Sequence, residues 1–115
     1  MRIGRVYDDH GSGVSTILVD RLWPRGIRKD DPRIGAWCKD VAPSTGLRRW
    51  YGHRPDRYEE FVQRYRAELD SADGAAALSE LRELADQVSP GAMLVTATKD
   101  LQLSHLPVLA EILDR

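Results

Sequence analysis

Residues 16–26 read TILVDRLWPRG, and this stretch decides the expected fold. Its first four residues carry no charge, which predicts a strand buried on both faces of a parallel or mixed sheet. Behind them, Pro24 fixes its own φ and moves Trp23 out of the helical region, while Gly26 can take a positive φ. The stretch therefore predicts a strand that is followed directly by a rigid, shaped loop.

Two more segments predict strands of the same sheet. Residues 3–7 alternate apolar and polar side chains, and residues 92–97 form a second buried run. Apolar residues recur at helical spacing in residues 55–69, 78–88 and 106–113. The order of strand, strand, helices, strand and helix implies an α/β fold with a small, mainly parallel sheet flanked by helices.

The segment 32–41 leaves two possibilities open. Asp31 and Pro32 resemble a helix cap and a first-turn position. Apolar residues follow at helical spacing, namely Ile34, Trp37, Cys38 and Val41. This pattern favours a short helix, and a strand remains the alternative.

Length and composition limit the class of protein. A chain of 115 residues is long enough for one core and too short for two, so we expect a single compact domain over residues 1–115. It is 42% hydrophobic and 30% charged, and no apolar run approaches the ~20 residues of a membrane span, so no membrane contact is expected. Cys38 is the only cysteine, which excludes an internal disulfide and fits a cytoplasmic location.

No metal or cofactor is expected. The histidines His10, His53 and His105 are isolated in the sequence, a pattern typical of surface histidines rather than of metal ligands. The glycines of residues 11–13 lack the lysine of a phosphate-binding loop, so this segment is predicted to be a turn.

Charge is unevenly distributed along the chain. Residues 1–66 hold 14 of the 17 Lys and Arg and 9 of the 18 Asp and Glu, so this half is basic and residues 67–115 are acidic. A uniformly basic chain would point to nucleic acid as the partner. The split instead favours a focused anion site or a polar partner surface.

Ligands of open α/β sheets bind beyond the carboxyl ends of the strands. The loops 20–26 and 98–100 both leave predicted strands there, and a short helix capped by Ser44 or Thr45 would add backbone N–H groups. The predicted site comprises Asp20, Arg21, Trp23, Arg25, Gly26, Ser44, Thr45, Arg48, Lys99 and Asp100.

The predicted roles follow from side-chain chemistry. Arg21, Arg25 and Lys99 are suited to neutralise a phosphate or carboxylate. The indole of Trp23 would provide a stacking surface for the ligand. Asp20 or Asp100 would orient these cations or act as a general base, so both carboxylates and Lys99 are the candidate catalytic residues. The alternative is a structural turn in which Asp20 pairs with Arg25 and the indole is a core anchor.

Three motifs in this order resemble one known family. They are residues 18–26 (LVDRLWPRG), residues 42–50 (APSTGLRRW) and the pair Lys99-Asp100. The chain is thereby similar, over essentially its whole length, to the YeaO-like branch of the domain of unknown function 488 family. That resemblance implies a small cytoplasmic α/β protein without an established activity. The family usually has an acidic residue where this chain has Gly46.

The sequence thus predicts a protein that binds a small anionic ligand. If a reaction follows binding, a hydrolase or transferase is the favoured type of enzyme; the sequence leaves both that step and the oligomeric state open. One alternative is a nucleic-acid-binding module that uses the basic first half and stacks bases on Trp23, Trp50 or Tyr51. The other is a protein-interaction module with an apolar patch around Trp37, Trp50 and Tyr51.

Overall fold

Four short strands form one parallel sheet in the computed structural model, which describes residues 1–115. The strands are β1 (Arg2–Arg5), β2 (Ser15–Leu18), β3 (Ala36–Trp37) and β4 (Ala92–Thr96). Their spatial order is β1-β4-β2-β3, and every neighbouring pair is parallel. The predicted α/β class with a small parallel sheet is confirmed.

Four α-helices cover the sheet or support the connections between its strands. They are α1 (Thr45–Tyr51), α2 (Tyr58–Asp70), α3 (Ala72–Gln87) and α4 (Leu106–Leu113). Short 3₁₀ turns lie at Lys39–Val41, Pro55–Arg57 and Leu101–Leu103. None of these helices combines the length and the apolar character needed to cross a membrane.

The two faces of the sheet pack into two apolar clusters. Ile17 and Leu94 point into the larger cluster, which includes the inner faces of the helices. Leu18 and Val95 point into the smaller cluster on the opposite face. Because successive side chains of a strand alternate between faces, a run that is apolar throughout is buried on both sides.

The apolar stripe of α2 packs as its spacing predicts. Phe61, Tyr65 and Leu69 are buried, and the Tyr65 hydroxyl donates to the Val41 carbonyl at 2.6 Å. On the outer face, Arg64 Nε donates to Glu60 at 2.7 Å. The helix is therefore a structural support for the sheet.

The helix favoured over residues 32–41 does not form. Ile34 and Trp37 pack on the smaller cluster, whereas Cys38 and Val41 are buried in the larger one. The chain reaches both faces by pairing as the edge strand β3, with Trp37 opposite Leu18, and then turning into the short 3₁₀ segment. Side chains that serve opposite faces of a sheet cannot form one helical stripe.

Candidate ligand-binding site

A cavity of about 550 Å³ lies where the loop after β2 meets the loop after β4. These strands are parallel neighbours, so both loops leave the same edge of the sheet. The segment 42–43, the end of α1, the residues before α4, and the side chains of Tyr7 and Phe61 also line it. A cavity of this volume is within the usual range for a small organic ligand.

Seven of the predicted site residues line this cavity together: Asp20, Arg21, Trp23, Arg25, Arg48, Lys99 and Asp100. Three do not. Gly26 has a φ of 82° and shapes the turn without reaching the cavity wall. Ser44 and Thr45 also lie outside it.

Ser44 faces α2 instead of the cavity. Its N–H and its hydroxyl both donate to the Glu68 carboxylate, at 2.9 and 2.6 Å, and its Oγ accepts the Leu47 N–H at 3.1 Å. Ser44 is therefore the N-cap of α1 and ties that helix to α2. The helix contributes to the cavity from its later residues, Arg48 and Tyr51, rather than from its N-terminus.

Asp20 joins the two loops that form the cavity. Its Oδ1 accepts the Thr96 hydroxyl at 2.6 Å, and its Oδ2 accepts the Ala97 N–H at 2.8 Å. Its backbone carbonyl accepts the indole N–H of Trp37 at 2.7 Å. The carboxylate thus bonds to β4 and the residue after it, and the alternative of an ion pair with Arg25 is not seen.

Arg21 also connects segments of the wall. Its Nη2 donates to the Ala42 carbonyl at 2.8 Å, and its Nε donates to the Pro43 carbonyl at 3.3 Å. These bonds fix the segment 42–43 against the loop after β2. Arg21 adds positive charge to the cavity while holding its wall in place.

Three cations of the cavity have no partner inside the protein. Of the 17 Lys and Arg residues, 13 make a hydrogen bond, an ion pair or an aromatic contact through their head groups. The cations without such a contact are Arg25, Arg48, Arg49 and Lys99, and all but Arg49 line the cavity. The cavity therefore gathers cationic groups that remain available to a ligand.

The aromatic side chains that a nucleic-acid-binding module or a protein-interaction module would use are largely covered. Arg57 and Arg64 lie over the ring of Trp50, with guanidinium carbons 5.1 and 4.4 Å from its centroid, and Tyr51 is buried. Trp23 and Trp37 meet edge to face, with centroids 5.3 Å apart. Lys29 lies over both of these indoles. Base stacking or docking on these rings would first require the covering side chains to move.

His105 is a cavity residue that sequence analysis placed on the surface. Its ring is buried, its Nε2 lies 2.9 Å from the Val19 carbonyl, and the same nitrogen is 3.6 Å from Asp20 Oδ1. Burial lowers the pKa of His105, with Asp20 opposing that shift. The ring is thus neutral near pH 7 and donates from Nε2 to the carbonyl, which can only accept. The one feature of the sequence that could have indicated a buried position for His105 is its place at the start of an apolar helix.

Apolar residues of the cavity were missed as well. Those with large side chains come from five separate segments and are Tyr7, Leu22, Tyr51, Phe61 and Leu103. Cys38 is not among them; it is buried elsewhere, and burial raises the pKa of its thiol to about 11. The wall consequently combines cations with apolar surface and holds no reactive thiol.

Fold and site together define a parallel α/β domain with a cation-rich cavity at the carboxyl ends of its strands. The chain belongs to the domain of unknown function 488 family: the model of the inactive DUF488-N3 subclade matches residues 1–115. The uncharacterized protein Rv3073c of Mycobacterium tuberculosis is 50% identical over 99% of this chain and 93% of its own length. The uncharacterized protein YeaO of Escherichia coli is 39% identical over 93% of this chain and 90% of its own length. No solved structure was found to match the chain.

Proposed function

We propose that this protein binds a small anion bearing a phosphate or carboxylate group in the cavity between the loops after β2 and β4. The observation that carries this proposal is the gathering of Arg25, Arg48 and Lys99, without internal partners, around one concavity. A single exposed cation is ordinary, because water solvates it well. Three in one cleft raise the local potential and attract an anion.

The neighbouring groups support this role by fixing the wall. The Asp20 carboxylate and two of the five N–H donors of Arg21 bond to the protein itself, so both residues hold the loops in place. The neutral ring of His105 adds no charge. Four cations and two carboxylates line the cavity, which leaves it with an excess of positive charge.

We further propose that the anion is bound without being turned over. Both oxygens of Asp20 accept hydrogen bonds from β4 and the residue after it, and an oxygen of Asp100 accepts the Gln102 N–H at 3.1 Å. The description of the matching subclade as inactive supports the same view. A hydrolase or transferase would instead use Asp20 or Asp100 as general base beside Lys99.

Charge-removing variants test the binding role. Arg25→Gln, Arg48→Gln and Lys99→Gln should each weaken the binding of inorganic phosphate by about tenfold or more, equivalent to ~1.4 kcal/mol. All three side chains are exposed, so the melting temperature should hardly change. The measurement is an NMR titration at low ionic strength, where screening is weakest.

Arg49→Gln is the matched control. Arg49 is the fourth cation without an internal partner, it neighbours Arg48 on α1, and it does not line the cavity. Its variant should bind phosphate like the unaltered protein. An equal loss of phosphate affinity in all four variants would mean that the net charge of the protein causes the loss, and would contradict a localised site.

The absence of turnover has its own test. The unaltered protein should release no more p-nitrophenol from p-nitrophenyl phosphate than the Asp20→Ala and Asp100→Ala variants do. Hydrolysis that disappears with either carboxylate would establish an enzyme and refute the non-catalytic role.

A further inference from the structure

We propose that the ligand carries an apolar group next to its anionic group, and that Leu22 and Tyr7 hold this apolar group. The inference rests on the proposed anion site, whose chemistry it makes more specific. The ligand class is therefore an organic phosphate or carboxylate with an aliphatic or aromatic substituent, rather than an inorganic anion.

The first support is the placement of exposed apolar side chains. Only three large hydrophobic residues of the protein are exposed, namely Tyr7 at 38%, Leu22 at 64% and Val88 at 36%. Two of them, Leu22 and Tyr7, line the cavity that also gathers the free cations. Isolated exposed apolar residues are common, but their concentration at one cleft is typical of a binding site.

The second support is the short connection between these residues and the cations. The Tyr7 hydroxyl donates to the Arg25 backbone carbonyl at 3.0 Å, so its ring is anchored to the loop that carries this cation. Leu22 lies three positions before Arg25 in the same loop, with the buried Pro24 between them. An anion bound at Arg25 would bring its substituent close to both apolar side chains.

The third support is the size and interior of the cavity. Its volume of about 550 Å³ is far larger than an inorganic anion needs, since cavities of ~300–1,000 Å³ suit organic ligands. Leu103 supplies further apolar wall, and so do the few accessible atoms of Tyr51 and Phe61, which are 4% and 2% exposed. Burying a substituent against such a surface gains hydrophobic free energy that inorganic phosphate cannot gain.

The test compares phenyl phosphate with inorganic phosphate on the whole protein by NMR titration. Phenyl phosphate should bind about tenfold tighter or more, because its ring buries apolar surface in the cavity. Leu22→Ser should remove most of that advantage and leave the affinity for inorganic phosphate unchanged. Leu22 is exposed, so the variant should fold normally, and its melting temperature verifies this.

Val88→Ser is the control, since Val88 is the exposed apolar residue outside the cavity. It should bind both probes like the unaltered protein. Equal affinity for the two probes, or an advantage that survives Leu22→Ser, would overturn the inference and leave the anion site standing. Failure of both probes to bind would refute the anion site itself, and the inference with it.

Discussion

Replacing Phe61 by alanine should lower the free energy of unfolding by about 3–5 kcal/mol, measured by urea denaturation. The Phe61 side chain is 2% exposed and stacks on Tyr51 and Tyr65, with ring centroids 4.3 and 6.0 Å away. Its loss would remove the apolar contact and leave a hole between α1 and α2 that neighbouring rings fill only in part.

Val62→Ala provides the comparison on the same helix. Val62 is half-buried at the edge of the larger cluster, so its truncation should cost clearly less than that of Phe61. Similar losses for the two variants would mean that the aromatic stack is not the centre of this packing.

Replacing Asp20 by alanine should cost about 3 kcal/mol of unfolding free energy, because two hydrogen bonds to a carboxylate are lost together. The Thr96 hydroxyl and the Ala97 N–H would lose their acceptor at the end of β4. The loop after β2 would lose these two side-chain bonds to the end of β4 and would keep the bond from the Val19 N–H to the Val95 carbonyl. Thermal or urea denaturation measures the change.

Asp100→Ala is the matched variant for this carboxylate. Asp100 is exposed and accepts one hydrogen bond from Gln102, so its removal should cost about 1 kcal/mol or less, as for a helix cap. If Asp20→Ala proved as harmless as Asp100→Ala, the carboxylate would not be the tie between the loops.

Much of the fold follows from local sequence pattern. The apolar runs at β2 and β4 predicted buried strands because they are short, uncharged and followed directly by turn residues. The apolar stripe of α2 likewise predicted a helix that packs on the core. The segment 32–41 was misjudged because its helical spacing arises from residues that serve opposite faces of the sheet, and only tertiary packing shows this.

The site could be predicted only where it lies next to a strand end. Arg25 and Lys99 line one cavity because β2 and β4 are parallel neighbours. The sequence predicted a mainly parallel sheet with both loops at the carboxyl ends of strands, and the structure shows that the two strands are adjacent. Ser44 was placed there too, but its bonds to Glu68 depend on how α1 packs against α2. Leu22 and Phe61 were missed as site residues because nothing local shows which apolar side chains face a cavity.

The most direct test of the anion site is a crystal structure of the protein with tungstate, an analogue of phosphate whose metal scatters anomalously. We expect the strongest anomalous peak in the cavity, with tungstate oxygens within hydrogen-bond distance of Arg25, Arg48 and Lys99. A well-occupied tungstate elsewhere on the protein, with none beside these three cations, would contradict the account.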